Sequence, residues 1–339
     1  MKILQKVTGF IIALVIIILA VFHFGSNNNT PNNSSSPSAA NNSLSLITEP
    51  QVGVAPELKL IDSAKKSVDL VMYELEDKNI EQALVAAQNR GVSVKVLLNK
   101  GYYGQQSRAN VAAYNYLHNN YVPVEWTPKY FSLTHEKMLE ADGKTASIMT
   151  FNFTPEYYAT SRDFGVNDNN KQDLAAIIKT FSADWQATKI TAPTGNALVW
   201  SPGSESAMIN LINSSKKSLG IYNEEMADNK IDTALENAAK RGVNVEVTMT
   251  NSSEWKTDFE SLTKAGVHVR TYAANAKLYI HAKMILVDNQ KVFLGSENFS
   301  TTSLDRNREL GLILSSPQII KSLNTTFASD YQAATPFKK

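Results

Sequence analysis

The chain has 339 residues, with 33 basic residues, 32 acidic residues and no cysteine. A formal net charge of +1 argues against a protein that covers long nucleic acids with a basic surface, although a neutral protein can still carry a basic groove. The absence of cysteine excludes structural disulfides and lipid attachment through a cysteine.

The first 45 residues are expected to lie outside the fold. Lys2 and Lys6 precede an apolar run over 7–24, which is long enough to span about 30 Å of hydrocarbon. Residues 1–25 are therefore predicted to be a signal anchor or a signal peptide, with everything after them outside the cytoplasm. This predicts an extracytoplasmic protein, membrane-anchored by a single N-terminal helix or secreted if the segment is cleaved. Residues 26–45, rich in Asn, Ser and Pro, predict a disordered linker.

The folded part begins with alternating strands and helices. Apolar residues at helical spacing predict helices over 55–67 and 79–90, and β-branched runs predict strands over 68–73 and 92–98. An opening strand precedes them, and the same pattern returns after Gly242. Strands that alternate with helices indicate a mixed α/β fold in which a largely parallel sheet is flanked by helices.

The most informative pattern is His-x-Lys-x-x-x-x-Asp, which occurs twice at an interval of 146 residues. The two copies are His135, Lys137 and Asp142, and His281, Lys283 and Asp288. Both are followed in the same register by a hydroxyl residue and an asparagine, namely Thr150 with Asn152 and Ser296 with Asn298. The chain is therefore interpreted as two homologous domains, at 46–190 and 195–339, related by a pseudo-two-fold axis.

Each motif falls on a predicted β-hairpin. In the first repeat a strand over 137–141 leads to the tight-turn signal Asp142-Gly143 and a return strand over 146–151. The second repeat has the same pattern over 283–294. Each motif histidine therefore enters at the edge of a strand, where its ring can face a cleft.

One histidine and one lysine from each repeat suit attack on a phosphodiester. One imidazole can attack phosphorus, while the other protonates the leaving oxygen and then activates water or an alcohol. The lysines supply positive charge, so that no metal or cofactor is required. A metal site is the alternative, but a lysine two residues from each histidine would repel a cation. The histidines without a repeat partner are interpreted as structural, namely His23, His118 and His268.

The duplicated motif, followed in the second repeat by Gly-Ser-Glu-Asn at 295–298, resembles the phospholipase D superfamily. The resemblance covers residues 46–339. It implies that His135 is the nucleophile and that His281 is the general acid and base. It also implies that Lys137 and Lys283 bind phosphate. The remaining motif residues, Asp142 and Asp288, are grouped with them in the catalytic set, and the resemblance implies that their role is at least partly structural.

Further residues are expected to support this site. The resemblance implies such a role for Asn152, Ser296 and Asn298, and Thr150 keeps the hydroxyl group in the first repeat. Met149 stands where the family has glycine and is expected to narrow the cleft. Asp163 and Glu309, which match across the repeats, are expected to orient the imidazoles.

The expected reaction is hydrolysis of glycerophospholipids at a membrane surface, which yields phosphatidate and a free headgroup. The alternatives are phosphatidyl transfer of the cardiolipin synthase kind and metal-independent cleavage of nucleic acid, which the near-neutral composition disfavours. A binding protein without activity is opposed by the two intact motifs. No obligate protein partner is predicted, and a monomer is expected because one chain already supplies both halves of the site.

Overall fold

The computed structural model describes residues 44–102 and 104–338. The predicted segment 1–25 and most of the predicted linker 26–45 lie outside the described residues, although positions 44 and 45 already belong to the first strand. Within the described ranges, no helix combines the length and the apolar character needed to cross a membrane. The predicted membrane-anchored, extracytoplasmic localisation is corrected accordingly and not retained, since no described helix supports it.

The first repeat confirms the predicted order of strand, helix, strand, helix, strand. Its strands are β1 (Leu44–Glu49), β2 (Ser67–Met72), β3 (Ser93–Leu98), β4 (Gly101–Tyr102), β5 (Gln105–Gln106), β6 (Val124–Trp126), β7 (Met138–Ala141), β8 (Thr145–Met149) and β9 (Ser161–Asp168). Its helices are α1 (Ala55–Ser63), α2 (Lys78–Asn89), α3 (Arg108–Asn119) and α4 (Lys171–Trp185), with a 3-10 helix at Pro155–Tyr157. The first helix ends earlier than expected because Ser67 already pairs in the sheet.

The second repeat follows the same plan. Its strands are β10 (Leu198–Ser201), β11 (Ser218–Tyr222), β12 (Met226–Ala227), β13 (Asn244–Thr250), β14 (His268–Tyr272), β15 (Tyr279–Ile280), β16 (Lys283–Val287), β17 (Lys291–Gly295), β18 (Phe299–Ser300), β19 (Glu309–Leu314) and β20 (Thr335–Pro336). Its helices are α5 (Glu205–Asn213), α6 (Asn229–Lys240), α7 (Lys256–Lys264), α8 (Thr301–Asp305) and α9 (Pro317–Ala333), with a 3-10 helix at Ser253–Trp255.

The equivalent helices α2 and α6 begin and end with the same sequence signals. Asp77 and Asp228 each cap a helix by accepting hydrogen bonds from backbone N–H groups of its first turn. Each helix is followed by a glycine with positive φ, 83° at Gly91 and 86° at Gly242, a conformation that glycine adopts without steric cost. These signals direct the chain into β3 and β13 in the same way.

Each repeat forms a mixed sheet, which confirms the α/β class but not the expected strand directions. The strand order is β1-β9-β8-β7-β2-β3-β6 in the first sheet and β10-β19-β17-β16-β11-β13-β14-β20 in the second. Strands joined by helical crossovers, β2, β3 and β6, run parallel. The hairpin β7–β8 and its neighbours run antiparallel, because a short turn cannot provide a crossover. The sheets are therefore mixed and not largely parallel.

The two repeats pack around a shared apolar core. It contains Phe164 and Phe181 from the first repeat together with Leu310 and Phe327 from the second. Strand β15 of the second repeat also pairs with β9 of the first. The two repeats therefore form a single packed unit.

Two buried ion pairs join the repeats reciprocally. Arg162 donates two hydrogen bonds to Asp330 on α9, at 2.6 and 3.1 Å, and Arg308 donates two to Asp184 on α4, at 2.8 and 3.0 Å. Such bidentate pairs fix geometry as well as charge. In each pair a residue of one repeat binds the equivalent partner in the other, which is the contact pattern of a two-fold axis.

Candidate active site

The two motif histidines enter one cleft from opposite repeats. The backbone N–H of His135 donates to the carbonyl oxygen of Arg308 at 2.9 Å, and that of His281 donates to the carbonyl oxygen of Arg162 at 3.3 Å. The buried arginine pairs therefore also position the backbone of the motif histidines. Both imidazoles line a single cavity of about 1090 Å³.

A carboxylate of the opposite repeat holds each imidazole. The Nδ1 atom of His135 lies 2.9 Å from Oε2 of Glu309 and 3.0 Å from the carbonyl oxygen of Ser296. The Nδ1 atom of His281 lies 2.9 Å from Oδ1 of Asp163. Because these partners accept hydrogen bonds, Nδ1 carries the proton in both rings, and Nε2 is the atom available for chemistry. This is the geometry expected of orienting carboxylates, a role that remains a proposal.

Burial and charge set the protonation states of His135 and Glu309, which together with Lys137 form the first half of the site. Burial lowers the pKa of His135, and the neighbouring Glu309 opposes that effect. Burial acts to raise the pKa of Glu309, but His135, Lys137 and the hydroxyl group of Ser303 outweigh it and hold that pKa below its ordinary value. A neutral imidazole beside an ionised carboxylate is the form in which Nε2 can act as a nucleophile.

The motif lysines are buried beside the histidines. Lys137 and Lys283 are both 0% exposed, and each Nζ atom donates to the carbonyl oxygen of its own motif histidine at 2.6 Å. Burial, together with the charge of Lys283, lowers the pKa of Lys137 to about 7. A bound phosphate would favour the ammonium form of Lys137, because an adjacent anion stabilises a cation.

The surroundings of the two motif lysines differ at one pair of equivalent positions, Tyr73 and Glu224. The Nζ atom of Lys137 lies 4.9 Å from the ring centroid of Tyr73. The second repeat has Glu224 in the matching position, where Oε2 accepts a hydrogen bond from Lys283 at 2.9 Å and lies 3.5 Å from Nε2 of His281. Although burial opposes ionisation, Lys283 and His281 hold the pKa of Glu224 far below its ordinary value. Lys283 therefore has an ionised carboxylate partner where Lys137 has an aromatic ring.

The motif aspartates lie at the hairpin turns and do not line the cavity. Asp142 and Asp288 have φ values of 60° and 51°, which an aspartate tolerates better than most residues. Their carboxylates accept hydrogen bonds from the backbone N–H groups of residues 65–67 and 216–218 respectively. The interval between the histidine and the aspartate of each motif therefore corresponds to the first strand of the hairpin. These contacts tie each hairpin to β2 or β11, and we propose that the two aspartates act mainly by holding the fold.

The supporting polar residues divide into two groups. The Thr150 hydroxyl group donates to Oδ1 of Asp163 at 2.5 Å, and the Ser296 hydroxyl group accepts from a backbone N–H of β19 at 3.1 Å, so both brace the strands beneath the site. Asn152 and Asn298 line the cavity itself.

Met149 does not narrow the cleft, contrary to expectation. It is 0% exposed within the apolar core of the first repeat and does not line the cavity. At the equivalent Gly295, a Cβ atom would collide with Oε2 of Glu297, whereas the first repeat has Phe151 in place of that glutamate. A Cβ atom at Gly295 would also collide with the backbone of Gly311 and the ring of Phe293, so the glycine is required by close core packing in the second repeat.

The sequence patterns missed four cavity residues near the carboxyl ends of β2 and β11, namely Tyr73, Glu74, Glu224 and Glu225. The upstream part of the repeat aligns at an offset of 151 residues, which pairs Glu74 with Glu225 and could have revealed them. So could the tendency of ligands to bind beyond the carboxyl ends of parallel strands.

Known proteins match the chain along both repeats. The family model described as "Cardiolipin synthase, PLD-like domain" matches residues 58–185 and 208–331. A cardiolipin synthase of Clostridium perfringens (strain SM101 / Type A) is 25% identical over 327 residues, which cover 81% of this chain and 67% of that protein. The major cardiolipin synthase of Bacillus subtilis (strain 168) is 25% identical over 344 residues, which cover 88% and 70%.

Solved structures share the fold. The phosphatidylserine synthase of Haemophilus influenzae Rd KW20 has a TM-score of 0.66 and 13% identity, and the match covers 88% of each chain. The polyphosphate kinase of Porphyromonas gingivalis has a TM-score of 0.66 and 15% identity, and the match covers 84% of this chain and 46% of the kinase. At such identities the likeness concerns the fold alone. Because the family model matches both repeats and most of the chain, this protein belongs to the PLD-like domain family of cardiolipin synthases, within the phospholipase D superfamily.

Proposed function

We propose that this protein transfers a phosphatidyl group from a phospholipid to the hydroxyl group of an alcohol, as a cardiolipin synthase does. The observation that carries the proposal is the pair of imidazoles that line one cavity, each with Nδ1 held by a carboxylate. The relatives along both repeats are named cardiolipin synthases, which favours transfer over the hydrolysis expected from the sequence. In hydrolysis water would take the place of the alcohol at the same site.

The reaction proceeds in two displacements. Nε2 of His135 attacks the phosphorus of the donor lipid, the bond from phosphorus to the headgroup oxygen breaks, and His281 donates a proton to that oxygen. His281 then accepts the proton of the incoming hydroxyl group, whose oxygen attacks phosphorus and releases His135. Both imidazoles return to their starting protonation states. The lowered pKa of His135 supports its assignment as the nucleophile, because the neutral ring is required.

The buried lysines are assigned to the phosphate group. Their charges lie beside the histidines, where the equatorial oxygens of the transferred group gain negative charge in the transition state. Asn152 and Asn298 line the same cavity and can hydrogen-bond to those oxygens or to the headgroup.

The charge of the cavity disfavours nucleic acid as the substrate. Carboxylate residues of both repeats line it, and no lysine or arginine is found among the described residues of its wall. A nucleic acid strand brings one negative charge with every phosphate and needs positive charges along its path. A single phosphodiester headgroup requires only the two buried lysines.

The proposal is tested with the purified full chain in EDTA, mixed with vesicles of phosphatidylglycerol and phosphatidylethanolamine. The expected products are cardiolipin and a free headgroup. They are lost in His281→Ala and retained in His268→Ala, which removes an exposed histidine of the same repeat. Phosphatidate in place of cardiolipin would establish hydrolysis instead. Cleaved plasmid DNA with unchanged lipid would make the protein a nuclease.

The order of the two histidines is tested by trapping the intermediate. Donor lipid labelled in its phosphate, followed by a rapid quench that preserves phosphohistidine, is expected to leave the label on His135. A label on His281 would reverse the two roles and leave the reaction class unchanged.

A further inference from the structure

The cavity wall carries more carboxyl groups than a phosphodiester site requires. The carboxylate residues that line it are Glu49, Glu74, Asp163, Glu224, Glu225 and Glu254. The positive charges of the two motif lysines lie beneath its surface, at 0% exposure. Because a phosphodiester brings one further negative charge, a substrate that carries only the phosphate increases the repulsion inside the cleft.

Three of these carboxylates line the cavity just beyond the carboxyl ends of β2 and β11. Glu74 and Glu225 occupy equivalent positions just beyond the parallel strands β2 and β11, and Glu224 lies 3.5 Å from the Nε2 atom of His281. Burial raises the pKa of Glu74 and of Glu225, and the charge of Glu224 raises both further. A cation placed among them would relieve this repulsion.

Such a cation is better supplied by the ligand than by a metal ion. Within the described part of the chain, no group of three histidine or carboxylate residues is arranged to hold a metal. Aromatic rings of Tyr73, Trp255 and Tyr279 line the same cavity, and the Tyr279 hydroxyl group donates to Oε1 of Glu224 at 2.9 Å. Carboxylates combined with aromatic faces favour an organic ammonium group.

Unpaired acceptors in the same wall point to a ligand that donates hydrogen bonds. Asn298 and Asn307 are each 5% exposed and line the cavity, and their Oδ1 atoms have no hydrogen-bond donor within the described structure. Their amide orientations follow from their partners, because each Nδ2 donates to a carboxylate oxygen at 3.1 Å, of Glu225 and Glu309 respectively. Both carbonyl oxygens are thus buried acceptors without a donor, a cost that a hydrogen-bond donor on the ligand would relieve.

We propose that Glu74, Glu224 and Glu225 form a subsite for the ammonium group of a zwitterionic phospholipid headgroup. The donor lipid then carries an amine on the headgroup that leaves, and the subsite places that headgroup beside His281, which protonates it. The catalytic part of this statement rests on the proposed function, whereas the binding preference does not.

The binding preference is measured on the full chain by calorimetry at neutral pH. The probes are glycerophosphoethanolamine and glycerophosphoglycerol, two soluble phosphodiesters that differ in whether the headgroup carries an ammonium group or hydroxyl groups. The ammonium compound is expected to bind about tenfold more tightly. Glu224→Gln and Glu74→Gln should each reduce that ratio. Glu76→Gln, an exposed carboxylate in the same turn that does not line the cavity, should leave it unchanged.

Equal affinity for the two probes, or binding of neither, would overturn the proposal. A preference that survives both cavity variants would do the same, since it would come from elsewhere. If the ammonium compound is preferred but no lipid product forms, the subsite stands and the proposed reaction fails. If cardiolipin forms with equal use of both donor lipids, the reaction stands and the subsite fails.

Discussion

The carboxylate of Glu309 contacts an imidazole that belongs to the other repeat, with Oε2 at 2.9 Å from Nδ1 of His135. Asp163 of the first repeat stands in the same relation to His281, also at 2.9 Å. Neither repeat therefore contains a complete half-site by itself. The shared core and the reciprocal arginine pairs hold the two repeats together. The geometry of the candidate active site therefore depends on them.

Glu309→Gln is expected to lower the turnover number by a factor of about 100 or more. The glutamine amide can turn its NH₂ group toward His135, which would move the ring proton to Nε2 and remove the nucleophile. The measurement is steady-state transfer with the phospholipid substrates. Thermal unfolding of the same protein shows whether the fold is kept.

The matched control for this variant is Glu246→Gln, which changes a carboxylate on β13 of the same repeat outside the cavity. It should retain full turnover. Full turnover by Glu309→Gln itself would show that the carboxylate does not set the tautomer of His135.

Asp142→Asn is expected to lower the free energy of unfolding by about 1 kcal/mol and to leave turnover nearly unchanged. The carboxylate accepts backbone hydrogen bonds from residues 65–67, and these outweigh burial and lower its pKa below the ordinary value of 3.8. Its stabilising effect is present above pH 3.8 and is lost as the pH falls through the lowered pKa.

Urea unfolding of wild type and Asp142→Asn at pH 7 and pH 3 measures this difference. The gap in unfolding free energy should narrow at the lower pH. Asp288→Asn tests the equivalent turn of the second repeat. Loss of turnover without loss of stability in either variant would return the aspartates to the catalytic set.

The sequence could predict the parts of the site that depend on local spacing. The hairpin, its turn at Asp142 and the position of His135 at a strand edge follow from alternating apolar residues and a tight-turn signal. The repeat register also pointed to Asp163 and Glu309 as a matched pair. That each of them would serve the histidine of the opposite repeat depends on how the two sheets pack, which no local pattern records.

For a similar reason, the sequence patterns could not predict the strand directions or the acidic cleft. Hairpin strands and crossover strands share one sheet, so the local elements were right while the pairing of β7 with β2 was not foreseen. Glu224 and Glu225 look like ordinary surface residues in the sequence. Their importance arises only where β11 ends beside His281 and Lys283.

Lys137 should make substrate binding depend on pH. With a pKa of about 7, it loses its charge in the free protein as the pH rises above neutrality, and a neutral amine binds phosphate poorly. We expect kcat/KM for the phospholipid to fall above about pH 7, by up to about tenfold for each pH unit. Because the charge of Glu224 raises the pKa of Lys137, Glu224→Gln should move this fall to lower pH.

The pH profile of kcat/KM from pH 6 to 9 tests this prediction in wild type, Glu224→Gln and Glu76→Gln. The last variant should keep the wild-type profile, because Glu76 is exposed and does not line the cavity. A wild-type profile that stays flat to pH 9 would show that Lys137 keeps its charge in the free protein.

Glu297 should make the fold less stable as the pH rises. The residue is 0% exposed, and neither carboxyl oxygen has a hydrogen-bond partner within the described structure. Burial, reinforced by the charge of Glu309, raises its pKa well above the ordinary value of 4.5. The folded state therefore holds a proton that the unfolded state releases above pH 4.5, and stability falls from there up to the raised pKa, by at most about 1.4 kcal/mol for each pH unit.

Glu297→Gln keeps the shape of the side chain and removes the titration. Its free energy of unfolding should match wild type near pH 4.5 and exceed it at pH 8, as measured by urea unfolding at both values. Glu246→Gln, at a partly exposed site in the same repeat, should show no such divergence. If the difference between Glu297→Gln and wild type is the same at both pH values, Glu297 does not carry a raised pKa. Its carboxyl group would then be ionised inside the core, where burial of a charge is costly.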